Sequence, residues 1–409
     1  MMFPRRFGRI AAGLVAAAAV LTTAACGGSG GTESTDGDVT TYKIAGYLDY
    51  SGPQGNRGPG VEATAKLVLD WWNQTKGKDL NARLEFLPYD TAYTPAKTVE
   101  VHRRAIAEKN LVGILGFGSP ALLGVKEQLE PDQVPMVLSG PSYTFMSGPG
   151  WGFGPMGDLG AAWASGVEYR QSTFTGPGPM KVANVTFDGS SGHDFVESAD
   201  KILAKNPNVR VVLDEFVPTS ATSVGINVDR IIAAQPDVVV IGTTDALQPL
   251  LLNELKARGF DMSKVMTSSF VSLESLKVLG VAPSTLDGVG EVTPLRGVDT
   301  QSDAYKIFHD RASAFNAQWT NQNQQAMVSM FVLTEAIERA LAANPDGITG
   351  RSVYEQLDAG TFDGHGLIGQ VRFDPTNRRV GGPAEGVGLQ FTRDAVDLTA
   401  PSVSILPLA

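Results

Sequence analysis

One cysteine and four histidines in 409 residues, with 19% charged side chains, set the first limits on this chain. A single thiol cannot close an intrachain disulfide, so stability rests on core burial. His102, His193, His309 and His365 are scattered, with no pair at metal-ligand spacing. No Lys/Arg cluster follows the first ten residues and the formal net charge is −10, which speaks against nucleic acid as a partner, because phosphate must be met by cations. Past residue 25 no hydrophobic run reaches the roughly 20 residues needed to span a bilayer. There is no phosphate-loop lysine motif and no G-x-S-x-G. The G-x-G-x-x-G at 152–157 follows no strong strand and is interrupted by Pro155. His193 and Asp194 beside Ser190 and Ser191 have the composition of a hydrolase triad, but neighbours on a helix start point in different directions. No cofactor, metal or catalytic residue is therefore assigned, and a secreted hydrolase is the poorer alternative.

The N-terminus carries what the rest lacks. Arg5, Arg6 and Arg9 precede an apolar run at 10–21, and small residues lead to Cys26-Gly27-Gly28. The run is too short to be a permanent span and reads as an export leader over residues 1–25. The passage Thr23-Ala24-Ala25-Cys26 resembles the lipobox of bacterial lipoproteins, with threonine three positions before the cysteine where leucine is usual. That resemblance implies lipidation of Cys26 and an extracytoplasmic protein anchored to the cell membrane. Its cleavage removes three arginines and no acids, which leaves the chain still more acidic. Residues 26–40, rich in Gly, Ser, Thr and Asp, have the composition of a flexible tether.

From residue 41, short apolar runs alternate with amphipathic stretches. Strands are expected at 43–48, 83–89, 112–115 and 135–138, and helices at 61–73, 95–108 and 121–129. After the Gly/Pro-rich stretch 147–157 the alternation restarts, with strands at 181–187, 210–216 and 237–242 and helices at 192–205, 223–234 and 246–258. Long helices at 302–319 and 326–343, a shorter one near 352–359, and strands near 369–373 and 388–392 follow. Such βαβ alternation implies parallel sheets covered by helices. The fold class is α/β, in two Rossmann-like lobes whose ligand cleft lies at the carboxyl ends of the strands. Lobe 1 is expected over 41–157 plus 293–372 and lobe 2 over 158–292 plus 373–409, with the chain crossing between them near Gly157, Val292 and Phe373.

In order and spacing, Ser51-Gly52-Pro53, Tyr89-Asp90 ahead of Pro95, Gly116-Phe117-Gly118-Ser119, Ser139-Gly140-Pro141-Ser142, Asp158 before a helix, Phe187-Asp188 to Gly192, and Gln235-Pro236-Asp237-Val238-Val239 form a series. The series resembles the periplasmic-type solute-binding proteins of ABC importers, in the branch that binds leucine, isoleucine and valine. The resemblance implies the type I periplasmic-binding-protein fold, with a ligand carboxylate held by Ser119, Gly140 and Ser142. It implies delivery of a small-molecule solute to an ABC permease complex. A ligand-sensing receptor subunit of the same fold is the alternative. Small residues ahead of a helix N-terminus favour an anion on physical grounds, although Ser-Gly-Pro clusters also serve as plain turns.

Departures from the family pattern bear on specificity. Arg57 falls where relatives often carry an aromatic, as either a bidentate partner for a carboxylate or a solvated rim charge. Asp158 matches one acidic position that receives an ammonium group, whereas the other falls on Phe270. Met327 and Ser191 replace ligand-facing aromatics. Thr244, in Thr243-Thr244-Asp245, is expected to face the cleft, with Asp245 as either a cleft residue or a helix N-cap. The ligand is thus a branched-chain or other amino acid, or a related small carboxylate or amide.

Overall fold

The computed structural model describes residues 39–140, 142–146, 148–268, 271–295 and 299–373, and the backbone of 384–393, 395–397 and 402–405. Cys26, the leader, residues 27–38 of the expected tether and Phe270 lie outside the described residues, and the first strand already begins at Thr40.

Two sheets organise the chain. The first holds β1 (Thr40–Leu48), β2 (Ala82–Asp90), β3 (Leu111–Phe117), β4 (Met136–Ser139) and β5 (Gly152–Phe153), all parallel, in the order β2-β1-β3-β4-β5. The second holds β6 (Met180–Asp188), β7 (Val209–Pro218), β8 (Val238–Gly242), β9 (Val265–Ser268) and β10 (Gly290–Thr293), also parallel, in the order β10-β9-β8-β6-β7. Read in chain order, both sheets carry the same pattern, 2-1-3-4-5, as the restart of the alternation at residue 180 predicts. A short antiparallel pair, β11 (Thr361–Phe362) and β12 (Val371–Arg372), stands apart. Antiparallel strands β13 (Ala384–Arg393), β14 (Ala395–Asp397) and β15 (Ser402–Ile405) extend the second sheet beyond β10.

Parallel strands buried on both faces need apolar residues on both. Along β1, Tyr42, Ile44 and Leu48 enter one cluster with the helices Gly58–Gln74 and Asn321–Ala343, while Ala45 and Tyr47 enter the opposite one with Val101 and Leu129. Val238, Val239, Val240 and Ile241 are at most 2% exposed and centre the cluster around the second sheet.

Several helices differ from their sequence expectation for local reasons. The helix expected at 121–129 is one turn at Ser119–Leu122 and a 3₁₀ turn at Lys126–Gln128. Gly124 lies between them, with no room for a Cβ against the Pro95 carbonyl. The helix expected to reach 319 stops at Phe315, because Asn316 turns left-handed at φ 52°. The long helix expected from 326 begins at Asn321, where the Thr320 hydroxyl accepts from the Asn323 N–H. Strands β5, β9 and β10, of two to four residues each, were too short to register as periodic runs.

One part-buried polar cluster makes stability depend on pH. Asn184 in β6 donates through Nδ2 to Asp200 Oδ1 (3.0 Å) and Asp214 Oδ1 (2.8 Å). Burial, and then the neighbouring Asp214 carboxylate, push the Asp200 carboxyl up from 3.8 to about 7. The folded chain therefore keeps a proton there that the unfolded chain has released. The stabilisation is complete below the ordinary carboxylate range and is lost as pH rises through about 7. Because the side chain is part exposed, about 1–2 kcal/mol is at stake. The melting temperature should fall between pH 5 and 8. Asp200→Asn keeps an acceptor for Asn184, offers a donor to Asp214, and should flatten that fall; equal slopes in both proteins would disprove the assignment.

Candidate functional site

The carboxyl ends of both sheets converge on one small cavity of about 40 Å³. From the first sheet, the loop after β3 contributes Ser119, the loop after β4 contributes Gly140 and Ser142, and the loop after β1 contributes Gln54 and Arg57. From the second, Ser191 and Phe195 come from the helix Ser190–Leu203, and Leu159 from the helix Leu159–Ser172. The structure thus brings together Arg57, Ser119, Gly140, Ser142 and Ser191, all singled out in the sequence.

The hydroxyls are part of a built framework. Ser119 Oγ donates to the Gly140 carbonyl and accepts from the Ser142 N–H, each at 3.1 Å. Ser142 Oγ accepts from the Phe145 N–H at 3.1 Å. Gly140 is left-handed (φ 74°), and a Cβ there would sit 3.4 Å from Gln325 Oε1, so glycine both permits the turn and keeps the wall open.

Arg57 is neither a solvated rim charge nor aimed at open space. Its side chain is 12% exposed, and Nη2 meets Asp245 Oδ1 at 2.7 Å, tying the loop after β1 to the loop after β8. Asn56 Nδ2 adds a second bond to Asp245 at 3.2 Å. Asp245 is therefore a cleft residue, and Ala246 occupies the N-cap position of the helix Leu247–Ala257.

Three expected site residues have other work. Thr244 lies beside Asp245 but outside the cavity wall, and its carbonyl accepts from Leu247 and Gln248 to start the next helix. Asp158 is 1% exposed and caps the helix Leu159–Ser172, with Oδ1 accepting from Ala161 N (2.9 Å) and Ser198 Oγ (2.5 Å); the cavity meets Leu159 in its place. Met327 is fully buried in the core cluster of the first sheet. The residues of that helix that reach the cavity are Gln322 and Gln325. Met327 lies two residues past Gln325, about 200° around the helix, and so points inward.

Tyr93 was not expected. It sits three residues past β2 with φ 55°, directly after Ala92 at φ 47°, a tandem left-handed turn uncommon for residues with side chains. Its ring packs against Gly118, where a Cβ would come within 2.6 Å, and its hydroxyl meets Ser191 Oγ at 3.1 Å from the other side of the cleft. Burial raises its phenol above the usual range, so it stays a neutral hydrogen-bonding group. An aromatic between a strand-ending aspartate and a helix-starting proline was the available signal.

A second pair of bonds across the cleft, besides those to Asp245, belongs to Asp194. Its two carboxylate oxygens accept from the backbone N–H groups of Tyr143 and Thr144, each at 2.7 Å. Lys201 Nζ reaches Tyr143 Oη at 2.9 Å and lies over its ring. His193 instead pairs with Asp188 and stacks on Phe216, so Ser191, His193 and Asp194 turn to three separate partners.

Within the inner cavity, Arg57 is the one charged residue among the described lining, and no described carboxylate faces it. Hydroxyls, amides and one guanidinium suit a ligand with acceptor oxygens, and a buried ammonium would lack an ionic partner there.

A model of the periplasmic binding protein family matches residues 41–390. A sequence comparison with curated proteins found no match. Among solved structures, the chain is similar to an ABC transporter substrate-binding protein from Aeropyrum pernix, at 20% identity and TM-score 0.76 over 90% of this chain and 96% of that one. It is similar to a branched-chain amino acid ABC transporter protein from Thermus thermophilus with bound valine, at 17% identity and TM-score 0.75 over 89% and 96%. It is also similar to a fatty acid ABC transporter substrate-binding protein from Thermomonospora curvata, at 16% identity and TM-score 0.72 over 90% and 92%. At these identities the likeness is one of fold.

Proposed function

We propose, because this chain belongs to the periplasmic binding protein family, that it captures a small solute outside the cytoplasm and hands it to an ABC permease. The observation that carries this reading is the cavity between the two sheets, walled by Ser119, Gly140, Ser142 and Arg57 on one side and Ser191 on the other. The solute's head group is a carboxylate or primary amide, which the serine hydroxyls and the amides of Gln54, Gln322 and Gln325 suit, with Arg57 held at the wall by Asp245. Hydrophobic amino acids, as in the Thermus thermophilus structure with valine, are the competing class and require an ammonium partner.

In this reading the two sheets belong to two lobes, divided at 41–157 plus 293–372 and 158–292 plus 373–409. Gly157, left-handed at φ 66°, and the end of β10 at Thr293 suit the first two crossings. Bonds across the cleft then form only in a closed state, so a ligand touching both lobes shifts the population toward closure. Cys26 carries the lipid that keeps the protein at the membrane, and the protein has no catalytic role.

The test is a thermal-shift and calorimetric comparison of leucine, isoleucine and valine with short carboxylates and primary amides. A ligand at 100 times its Kd should stabilise the chain by about 2.7 kcal/mol. Ser119→Ala should weaken the best ligand at least tenfold. It should also lower stability by about 1–3 kcal/mol, since the buried Ser142 N–H loses its acceptor. A response to branched-chain amino acids alone would overturn the carboxylate-or-amide assignment, and silence across the whole panel would overturn the transport reading in favour of a sensor of another solute class.

A further inference from the structure

The inner cavity opens beside a much larger groove of about 850 Å³. Arg57 and Gln322 line both spaces, so the two adjoin at these side chains. One wall of the groove is the first turns of the helix Gly58–Gln74 with Phe315, which ends the helix Asp303–Phe315, and Trp319 in the loop after it; the other is the helix Leu273–Val278 and Leu279.

The sizes of the two compartments set a limit on the ligand. At about 10–15 Å³ per water-sized probe, the inner space holds only a head group of a few heavy atoms. For a body attached to that head, the groove beside Arg57 is the large adjoining space.

The chemistry of the groove selects the body. Its cations and anions pair off: Arg57 with Asp245 at 2.7 Å, and Lys66 with Glu62 at 2.6 Å, where Glu62 also accepts from Tyr50 Oη. Two of its amides are engaged within the fold, Asn323 Nδ2 on the Gln318 carbonyl and Asn321 Nδ2 on Thr293 Oγ1. No charge of one sign is left to attract an ionic tail. Its remaining polar side chains are uncharged, with Ser272 and Ser275 bonded to each other, and among them stand Phe315 and Trp319 on one wall and, on the lip, Val278 and Leu279, which are 89% and 44% exposed. Adjacent aliphatic side chains at the rim of a cleft gain by being covered.

We propose that the solute is elongated, with its carboxylate or amide head in the inner cavity and an uncharged, mainly apolar tail of several carbons running past Arg57 into the groove. This rests on the function proposed above and adds to it the length and polarity of the ligand.

Calorimetry on the full-length chain with straight-chain monocarboxylates and primary amides of two to ten carbons tests it. Beyond about four carbons, affinity should climb by about two- to fourfold per added methylene, the range for partial to full burial of that group. A second carboxylate at the tail end should cancel the gain. Val278→Asp combined with Leu279→Asp, both on the exposed lip, should weaken long ligands at least tenfold and leave the shortest ones unchanged. If short ligands bind and affinity is flat with length and indifferent to the double substitution, the groove is not part of the site while the head-group reading stands. If no carboxylate or amide of any length binds, the head-group reading falls and this inference falls with it.

Discussion

Asp194→Ala should raise the apparent Kd for the cleft ligand ten- to a hundredfold while changing the melting temperature of the unliganded chain little. Asp194 is 7% exposed, and both of its oxygens accept backbone N–H groups across the cleft, at 2.7 Å each. Charge-assisted bonds of this kind are worth about 1.5–3 kcal/mol each when their partners stay buried. Opening the cleft returns both N–H groups and the carboxylate to water, which offsets part of that. A net penalty of about 1.4–2.8 kcal/mol on the closed state alone is the consequence, or one to two powers of ten in its population. Affinity falls by the same factor once the closed form is no longer dominant. The other bridges are weaker: Tyr93 to Ser191 is a neutral pair at 3.1 Å, and Asp245 of the Arg57 pair is one-third exposed. Calorimetry reads the affinity and small-angle scattering reads the opening. A Kd within twofold of the parent, with an unchanged radius of gyration, would mean that Asp194 holds no conformational equilibrium.

Legibility in the sequence followed how local each cause is. The alternation of β-branched runs with amphipathic helices carries both sheets, because burial on two faces must be written into every strand. Ser119, Gly140, Ser142 and Ser191 were named through the resemblance, and all four follow strand ends and line the cavity, the place where open α/β sheets bind ligands. Met327 was named through the resemblance, and Gln322 and Gln325 went unnoticed because the helix starts at Asn321, five residues before the expected 326. Asp158 was ambiguous by nature, since an aspartate before a helix is equally a cap and a cleft carboxylate, and only the fold shows Ser198 closing over it. The Arg57–Asp245 and Asp194–Tyr143 bridges join residues far apart in the chain, and no periodicity reports such pairings.

Asp49→Ala should cost about 3–4 kcal/mol of stability and weaken ligand binding as well, and the stability loss sets it apart from Asp194→Ala. Asp49 follows β1 directly and is completely buried. Its Oδ1 accepts from the Gly52 N–H and its Oδ2 from the Gln54 N–H, both at 2.6 Å, which winds the chain into the turn ending at Arg57. The Asp49 carbonyl is packed so closely on Gly58 that a Cβ there would lie 1.9 Å away, so the turn has no slack at its far end. Asp90, at the end of the neighbouring strand, holds the near end through the Tyr50 N–H (3.0 Å) and the Ser51 hydroxyl (2.6 Å). Removing the Asp49 carboxylate strands two backbone donors in a turn that is only partly open to water, at about 1.5–3 kcal/mol each before partial rehydration. Asp49→Asn keeps one acceptor and should lose about half as much. Because Gln54 and Arg57 are presented to the cavity by this turn, affinity should fall with stability, in the order parent, Asn, Ala. Urea titration paired with calorimetry separates the cases: a stability loss under 1 kcal/mol for Asp49→Ala would show that the turn is set by its glycines and Asp90, with the Asp49 carboxylate incidental.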